Sequence, residues 1–225
     1  MKPVIHRVHL GKCNSYLIQE EGLILVDTGD PNKGKKFIKE LNRLSIDPKS
    51  ISLIVLTHGH HDHTGSVLEI KDMTEARLAI NYREKEWVEK PIKPVTPGVN
   101  LWGKVLEAIW KATDVFVNFP GTSVDIVLDD GEFSLKPFGI NGKLIHTPGH
   151  TLGSTSLLLE SGEAFVGDLT MNALPFVIGP SLPVFAEDAD AVKKSIKLLV
   201  QQGARTFYPA HGKPFPASDM YKHLS

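Results

Sequence analysis

An apolar run leads directly into a histidine-rich segment at residues 51–63, ISLIVLTHGHHDH. Imidazole and carboxylate groups are ligands that borderline cations such as Zn²⁺ prefer. The spacing His-x-His followed by an adjacent Asp-His is not that of one helix face, and it fits a tight loop leaving the end of a strand. His58 and His60 can converge on one metal ion, while Asp62 and His63 point to a second. The alternative interpretation is an exposed histidine-rich loop that binds metal by accident.

The composition bounds the class of protein. With 225 residues, 41% of them hydrophobic, the chain can bury a sizeable core, and we expect a single domain over residues 1–225. The net charge is −1 and the charges are interleaved, which disfavours nucleic acid as a partner. The lone Cys13 excludes an internal disulfide, favours a reducing compartment and is interpreted as a strand residue. The N-terminus lacks a signal-peptide core and no segment approaches the roughly 18 apolar residues of a membrane span, so we expect a cytoplasmic protein without a membrane partner.

Short apolar and β-branched segments predict a β-rich chain. The predicted strands are 4–10, 15–19, 23–26, 51–56, 77–80, 125–128, 132–135, 143–146, 155–159, 163–166 and, as the last one, 206–208. Four turn signals between them predict hairpins, at 11–12, 129–131, 141–142 and 161–162. Predicted helices cover 32–44, a segment from His63 or Gly65 to about Ile70, 83–89, 99–111, 189–201 with Asp188 as its cap, and a short segment after Pro216.

The alternation of predicted strands and helices is interrupted at residues 91–120, which we interpret as a helical insertion. A Pro-rich loop at 91–98 precedes an amphipathic helix that places Leu106, Ile109 and Trp110 on one side. That apolar side can cover the functional site, a second subunit in a homodimer, or the body of the domain. Outside the insertion, each half is rich in strands and closes with helices, which predicts two sheets with helices on their outer faces.

Five apolar strands end in a residue able to bind metal. They end at Asp27, at the His58–His63 loop, and before His150, Asp168 and His211. Strand ends are rigid and the loops beyond them free the side chains, so sheet proteins build sites in this way. We therefore expect these residues to converge.

Four motifs carry a resemblance to a known family. Thr57-His58-x-His60-x-Asp62-His63-x-Gly65, Thr147-Pro148-Gly149-His150-Thr151-x-Gly153-Ser154, Gly167-Asp168 and Ala210-His211-Gly212 resemble, in order and spacing, those of the metallo-β-lactamase superfamily. The resemblance implies an α+β fold, a four-layer αβ/βα sandwich of two mixed β-sheets with helices on the outer faces, and a two-metal site at one edge.

The same resemblance implies how the site is divided. The first metal would be held by His58, His60 and His150, and the second by Asp62, His63 and His211, with Asp168 bridging the two. Asp27 would orient the ligands, and Thr57 and Ser154 are candidates to hydrogen-bond them. The neighbouring His61 is expected to point away, and we interpret His6, His9, His146 and His223 as ordinary histidines without partners.

These expectations predict a dinuclear metal-dependent hydrolase of a thioester, ester or lactone, acting through a metal-bound hydroxide. Asp62 is the predicted catalytic residue, which positions the hydroxide and passes a proton to the leaving group. The metal ions are expected to be Zn, with Fe or Mn as alternatives. The substrate is expected to be a small molecule with an apolar acyl part, in a pocket formed by the insertion and the loop 174–186. Its predicted aromatic wall consists of Trp102, Trp110, Phe116, Phe176 and Phe185.

Departures from the family pattern favour the hydroxyacylglutathione hydrolase and lactonase-like branch. True β-lactamases of the family usually lack the bridging aspartate. A separate glutathione-binding domain is not expected after His211. Flavin-linked diiron relatives carry Glu at the position of His60, and the RNA-processing relatives need a basic arm. A mononuclear iron persulfide dioxygenase, a phosphodiesterase and a non-catalytic metal-binding scaffold remain alternatives.

Overall fold

The first β-sheet begins as an antiparallel meander and continues as a parallel sheet. Strands pair antiparallel from the first to the third and parallel from the third to the sixth. In spatial order they are β1 (Val4–His9), β2 (Asn14–Gln19), β3 (Leu23–Val26), β4 (Leu53–Val55), β5 (Arg77–Asn81) and β6 (Ile126–Leu128). The structure is a computed structural model that describes residues 2–113, 117–172 and 179–224. Phe116, Phe176 and the first part of the loop 174–186, residues 174–178, therefore lie outside the described residues.

The second sheet contains the last six strands, and each of them lies beside the strand that follows it in the chain. Its pairs are antiparallel except for one parallel pair between the fourth and fifth strands. The strands are β7 (Glu132–Ser134), β8 (Gly142–His146), β9 (Thr155–Leu159), β10 (Glu163–Gly167), β11 (Thr206–Pro209) and β12 (Phe215–Pro216). Both sheets are thus mixed, as predicted.

Helices connect the strands. They are α1 (Gly34–Leu44), α2 (His61–Thr64), α3 (Val67–Thr74), α4 (Lys85–Glu89), α5 (Leu101–Thr113) and α6 (Ala189–Gln201). The predicted cap of α6 is confirmed, because the Asp188 side chain accepts hydrogen bonds from the backbone N–H groups of Asp190 and Ala191. Among the described residues, no helix is both long and apolar enough to cross a membrane.

The period of two along the strands builds a layered core. One face of the first sheet carries Leu17, Leu25 and Ile54, which pack against α1 and α3. The opposite face carries Ile18, Ile24 and Val55, which pack against the second sheet. The outer face of the second sheet packs against α6. The layers are helix, sheet, sheet and helix, which confirms the predicted αβ/βα sandwich.

One predicted hairpin is wrong, and a second, between β7 and β8, forms with a longer connection than the turn predicted at 141–142. Residues 129–131 join β6 to β7, which lie in different sheets, so this turn crosses between the sheets. The Gly131 N–H donates to Asp129 Oδ1 at 2.7 Å, a local turn bond that forms whichever way the chain continues. The connection from β7 to β8 is longer than a hairpin turn and holds a 3₁₀ turn at Lys136–Phe138. The hairpins at 11–12 and 161–162 are confirmed.

Smaller differences concern helix ends and single residues. The helix predicted from His63 or Gly65 to Ile70 is two helices, α2 starting at His61 and α3 ending at Thr74. The segment 206–208 is not the last strand, since β12 follows it, and the segment after Pro216 is a 3₁₀ helix. Cys13 lies just before β2 and is buried.

The amphipathic helix of the insertion is confirmed as α5. Leu106 and Trp110 pack against Met171, Val184 and Phe185, whereas Ile109 is 51% exposed and does not belong to that cluster.

Removing the Phe165 ring should destabilise the sandwich strongly. Phe165 is 1% exposed and contacts Tyr16 and Tyr208 between the two sheets. We expect Phe165→Ala to lower the free energy of unfolding by about 3–5 kcal/mol, measured by urea denaturation with chelator present. Tyr221→Ala, at a side chain that is 56% exposed, should cost about 0.5 kcal/mol or less. Equal losses in both variants would contradict the layered core.

Candidate metal centre

The predicted ligands meet at one edge of the sandwich, where strands of both sheets end. All seven are buried, and their nitrogen and oxygen atoms form three overlapping groups in which every member lies within 4.8 Å of the others. The groups are His58, His60 and His150; His58, His63 and Asp168; and Asp62, His63 and His211. We name the first and last of these the histidine group and the mixed group.

Each ring of the histidine group has one nitrogen engaged in a hydrogen bond with the surrounding protein. His150 Nδ1 lies 2.9 Å from the Phe185 carbonyl, which can only accept, so this nitrogen carries the proton. Thr57 Oγ1 gives its proton to Asp27, so it accepts from His58 Nδ1 at 3.1 Å. His60 Nε2 lies 2.9 Å from Thr96 Oγ1.

The remaining nitrogens of the histidine group face one another. His60 Nδ1 and His150 Nε2 are 3.0 Å apart, and His58 Nε2 is buried without a hydrogen-bond partner in the described chain. Hydrogen bonds to the outer nitrogens thus aim the other nitrogen of each ring at a common point, which is how proteins orient histidine ligands.

In the mixed group a carboxylate replaces one imidazole. Asp62 Oδ2 lies 3.5 Å from His211 Nε2 and 4.0 Å from His63 Nε2. His63 Nδ1 is 2.9 Å from Asp27 Oδ2, so an Nδ1–H donated to that carboxylate leaves Nε2 to face the group.

Asp168 lies between the two groups. Its Oδ1 is 3.4 Å from both His63 Nε2 and His211 Nε2, and its Oδ2 is 3.7 Å from His150 Nε2. One carboxylate therefore presents an oxygen to each group.

Burial keeps the histidine group neutral. It lowers the pKa of His60 to about 3 and lowers the pKa values of His58 and His150 below the usual histidine range. Neutral imidazole is the form that binds metal ions.

The mixed group has the opposite character. Burial opposes protonation of His211, but Asp168 and Asp62 outweigh it and raise its pKa to about 10. Burial likewise opposes protonation of His63, but Asp27 and Asp168 hold its pKa well above the usual value. Against the effect of burial, the histidines hold the pKa values of Asp62 and Asp168 well below the usual carboxyl range. The potential at this point is strongly negative and favours a cation.

Three buried atoms in the centre have no hydrogen-bond partner among the described residues: His58 Nε2, His63 Nε2 and Asp168 Oδ1. A buried polar atom left unpaired costs about 1–3 kcal/mol. These atoms and their neighbours form two sets of nitrogen and oxygen donors that suit divalent zinc-like cations. The residues present fit a pair of such ions.

Asp27 is the main support of the centre. It adopts a left-handed backbone conformation, with φ of 58°, which aspartate tolerates better than most residues. Its Oδ1 accepts from the Thr57 N–H at 2.8 Å, while Oδ2 contacts His63. Thr57 is in contact with His58 as expected, but Ser154 bonds Thr151 rather than a predicted ligand.

The structure adds neighbours that the sequence did not single out. Thr96 belongs to the Pro-rich loop and contacts His60. The buried Cys13 thiol donates to the Asp62 carbonyl at 2.8 Å, although its sequence position gave it no partner. Glu84, 1% exposed, bonds the backbone of Gly59 inside the His-rich segment. Their partners are distant in the chain, so no local pattern could have identified them.

Histidines outside the three groups bond backbone carbonyls or contact rings away from the centre. His146 Nε2 donates to the Leu152 carbonyl at 2.8 Å, and His223 Nε2 donates to the Pro180 carbonyl at 3.0 Å. His9 Nδ1 lies 3.4 Å from Asn14 Oδ1, so the expectation of no partner is wrong for His9, His146 and His223. His61 is half-buried, with its ring 6.5 Å from the Trp110 ring.

Known proteins resemble this chain in sequence and in fold. A probable metallo-hydrolase of Bacillus subtilis (strain 168), YflN, is 25% identical over 244 residues, covering 98% of this chain and 88% of that protein. The Beta-lactamase-like protein 2 homolog of Drosophila melanogaster is 29% identical over 202 residues, covering 88% of this chain but only 58% of that longer relative. The crystal structure of the B3 metallo-β-lactamase BLEG-1 has the same fold, with a TM-score of 0.72 at 20% identity and 98% coverage of both chains.

The fold and these matches define a chain of the metallo-hydrolase class. The model of the metallo-β-lactamase superfamily matches residues 9–211. The chain belongs to the metallo-β-lactamase superfamily.

Replacing Asp27 should weaken the mixed group selectively. In Asp27→Asn the side-chain NH₂ would face His63 Nδ1, which favours the ring tautomer whose proton sits on Nε2 and blocks that nitrogen. We expect metal affinity at this group to fall about 10–100-fold, measured by competition with a chromophoric chelator. Asp30→Asn, at a carboxylate that binds the Lys12 N–H at 3.1 Å, is the matched control. Wild-type affinity for every metal ion in Asp27→Asn would contradict this role.

Proposed function

We propose that this protein is a dinuclear metal-dependent hydrolase of an acyl bond in a thioester, ester or lactone. The observation that carries the proposal is the position of Asp168, with one carboxylate oxygen toward each group of ligands. His58, His60 and His150 would hold one divalent cation and Asp62, His63 and His211 the other, with zinc as the proposed metal. Bound cations of this kind supply a nucleophilic hydroxide at neutral pH and polarise the attacked carbonyl.

Asp62 is the proposed catalytic side chain. Its carboxylate is ionised at neutral pH, because His63 and His211 lower its pKa against the effect of burial. An ionised carboxylate can orient the attacking water, take a proton from it as the water oxygen adds to the carbonyl carbon, and then pass that proton to the leaving group. Cys13 offers no alternative nucleophile, since burial raises the pKa of its thiol well above the usual value and the thiol donates to the Asp62 carbonyl.

An apolar wall beside the centre supports a substrate with an apolar acyl part. The Trp110 ring of α5 stacks on Phe185 at 4.9 Å between centroids and 15° between planes. The Phe185 carbonyl accepts the hydrogen bond from His150, so the stacked pair adjoins the histidine group. Trp110 also lines a small cavity with Pro94, Val95, His60 and Asp62. We propose that the insertion contributes this wall to the substrate pocket.

The test combines metal analysis with a substrate panel. Protein of measured metal content is assayed on thioesters, lactones, phosphodiesters and β-lactams. We expect about two Zn per chain and acyl substrates preferred over the others. One Fe per chain with sulfide-dependent oxygen uptake would instead indicate a dioxygenase, and faster turnover of a phosphodiester would indicate a phosphodiesterase. Either result would overturn the proposal.

The histidine group should be indispensable to this activity. We expect His60→Ala to lower kcat/KM by about a thousandfold or more, because a ligand of the histidine group is lost. The matched control is His6→Ala, at a histidine of β1 outside the ligand groups, which should retain metal and turnover. Near-normal turnover in His60→Ala would contradict the assignment.

A further inference from the structure

Glu84 is a buried carboxylate next to the metal centre. It follows β5, immediately precedes α4, and is 1% exposed. Ionisable side chains are almost never fully buried unless they are paired. The bonds that Glu84 makes in the described chain are to hydrogen-bond donors, not to a cation: two backbone N–H groups and one hydroxyl.

The three donors belong to two of the loops that carry the histidine group. Glu84 Oε2 accepts from the N–H of Gly59, the residue between His58 and His60. Glu84 Oε1 accepts from the Thr151 hydroxyl and from the Gly153 N–H, the latter at 3.0 Å. Thr151 follows His150 directly. The carboxylate thus bonds the chain beside each of the three histidines.

Glycine at both backbone contacts permits this approach. A Cβ at position 153 would lie 2.6 Å from Glu84 Oε1. A Cβ at position 59 would lie 3.2 Å from Glu84 Oε2 and 2.8 Å from the Trp87 ring. Any larger residue would displace the carboxylate or the loop. The two glycines and Glu84 therefore form one packing unit.

The two loops come from different sheets. Gly59 lies in the loop after β4 of the first sheet, and Thr151 and Gly153 lie between β8 and β9 of the second. The gap that Glu84 spans is also the gap between His60 Nδ1 and His150 Nε2, which are 3.0 Å apart. A shift of one loop against the other would change that separation directly.

We propose that Glu84 is a positioning residue that fixes the separation of His58 and His60 from His150, and thereby the shape of the histidine group. The inference rests on the proposed metal centre and adds to it a residue that touches none of the ligands. Burial raises the pKa of Glu84 to about 7, although the three donors favour its ionised form. Burying an ionisable carboxyl group costs free energy, and such a costly arrangement is expected near a functional site.

Glu84→Gln tests the proposal with little change in size. The amide has one acceptor oxygen, so its NH₂ must face either the Gly59 N–H or the donors of the other loop. One loop is thereby released. We expect Zn²⁺ or Co²⁺ affinity at the histidine group to fall about 10–100-fold, with affinity at the mixed group unchanged.

The measurement is a titration of the metal-free protein with Zn²⁺, followed by calorimetry, and with Co²⁺, followed by its visible spectrum. Wild type should bind two ions tightly, and Glu84→Gln one tightly and one weakly. Glu86→Gln on the exposed face of α4, where Glu86 pairs with Lys90 at 2.9 Å, is the matched control and should bind as wild type. A purely structural role would lower the unfolding midpoint without a selective loss of one ion.

Gly153→Ala provides a second route to the same result. The added methyl group displaces the Glu84 carboxylate without removing its charge, so it should cause the same selective loss even if Glu84→Gln does not fold. Wild-type binding of both ions, or an equal loss of both, in the variants that fold would overturn the proposal. The outcome is independent of substrate, because selective metal loss in a protein that hydrolyses no acyl bond would contradict the proposed function alone.

Discussion

The Asp168 carboxylate lies between two sets of histidines and contacts both. Its contacts limit where the loops at this edge of the sandwich can lie. The residue is 7% exposed, with Oδ1 toward His63 and His211 and Oδ2 toward His150. A buried charge is tolerated only when its surroundings compensate it closely. The neighbouring nitrogens must therefore be held in fixed positions, and loops at this edge bond one another, as the Thr155 N–H does to the Thr57 carbonyl.

Hydrogen bonds between the two sheets supply the rigidity. The Asn14 N–H donates to the Ala210 carbonyl at 2.8 Å, and the Tyr16 hydroxyl donates to the Pro209 carbonyl at 2.7 Å. Both bonds tie β2 of the first sheet to the segment that carries His211. The Thr155 N–H donates to the Thr57 carbonyl at 2.8 Å, and this bond ties β9 of the second sheet to the His-rich segment. Asp27 and Glu84 then act within this frame, one beside the mixed group and the other beside the histidine group.

Much of this arrangement could be predicted from the sequence because it depends on local patterns. Strand-rich halves that close with helices predicted two sheets with helices outside them, and Asp188 marked the start of α6. The motif histidines stand at strand ends, where a sheet brings distant segments together. The structure brings the residues of both predicted groups together, and it adds a third group of His58, His63 and Asp168.

The parts that could not be predicted depend on partners far away in the chain. Residues 129–131 have the turn chemistry of a hairpin, yet the next strand pairs in the other sheet. In the sequence Glu84 has the pattern of an ordinary helix residue. Its contact with Gly153, 69 positions away, is visible only in the folded chain. Thr96 and Cys13 are likewise identified only by their contacts in the folded chain, with His60 and with the Asp62 carbonyl. Local sequence carries no record of such contacts.

The central claim, that two cations share Asp168, is tested most directly by anomalous diffraction from zinc-loaded crystals at the zinc absorption edge. The account predicts two peaks about 3.5–4 Å apart, one beside His58, His60 and His150 and the other beside Asp62, His63 and His211, with the Asp168 carboxylate between them. A single peak, or a second peak remote from Asp168, would contradict it.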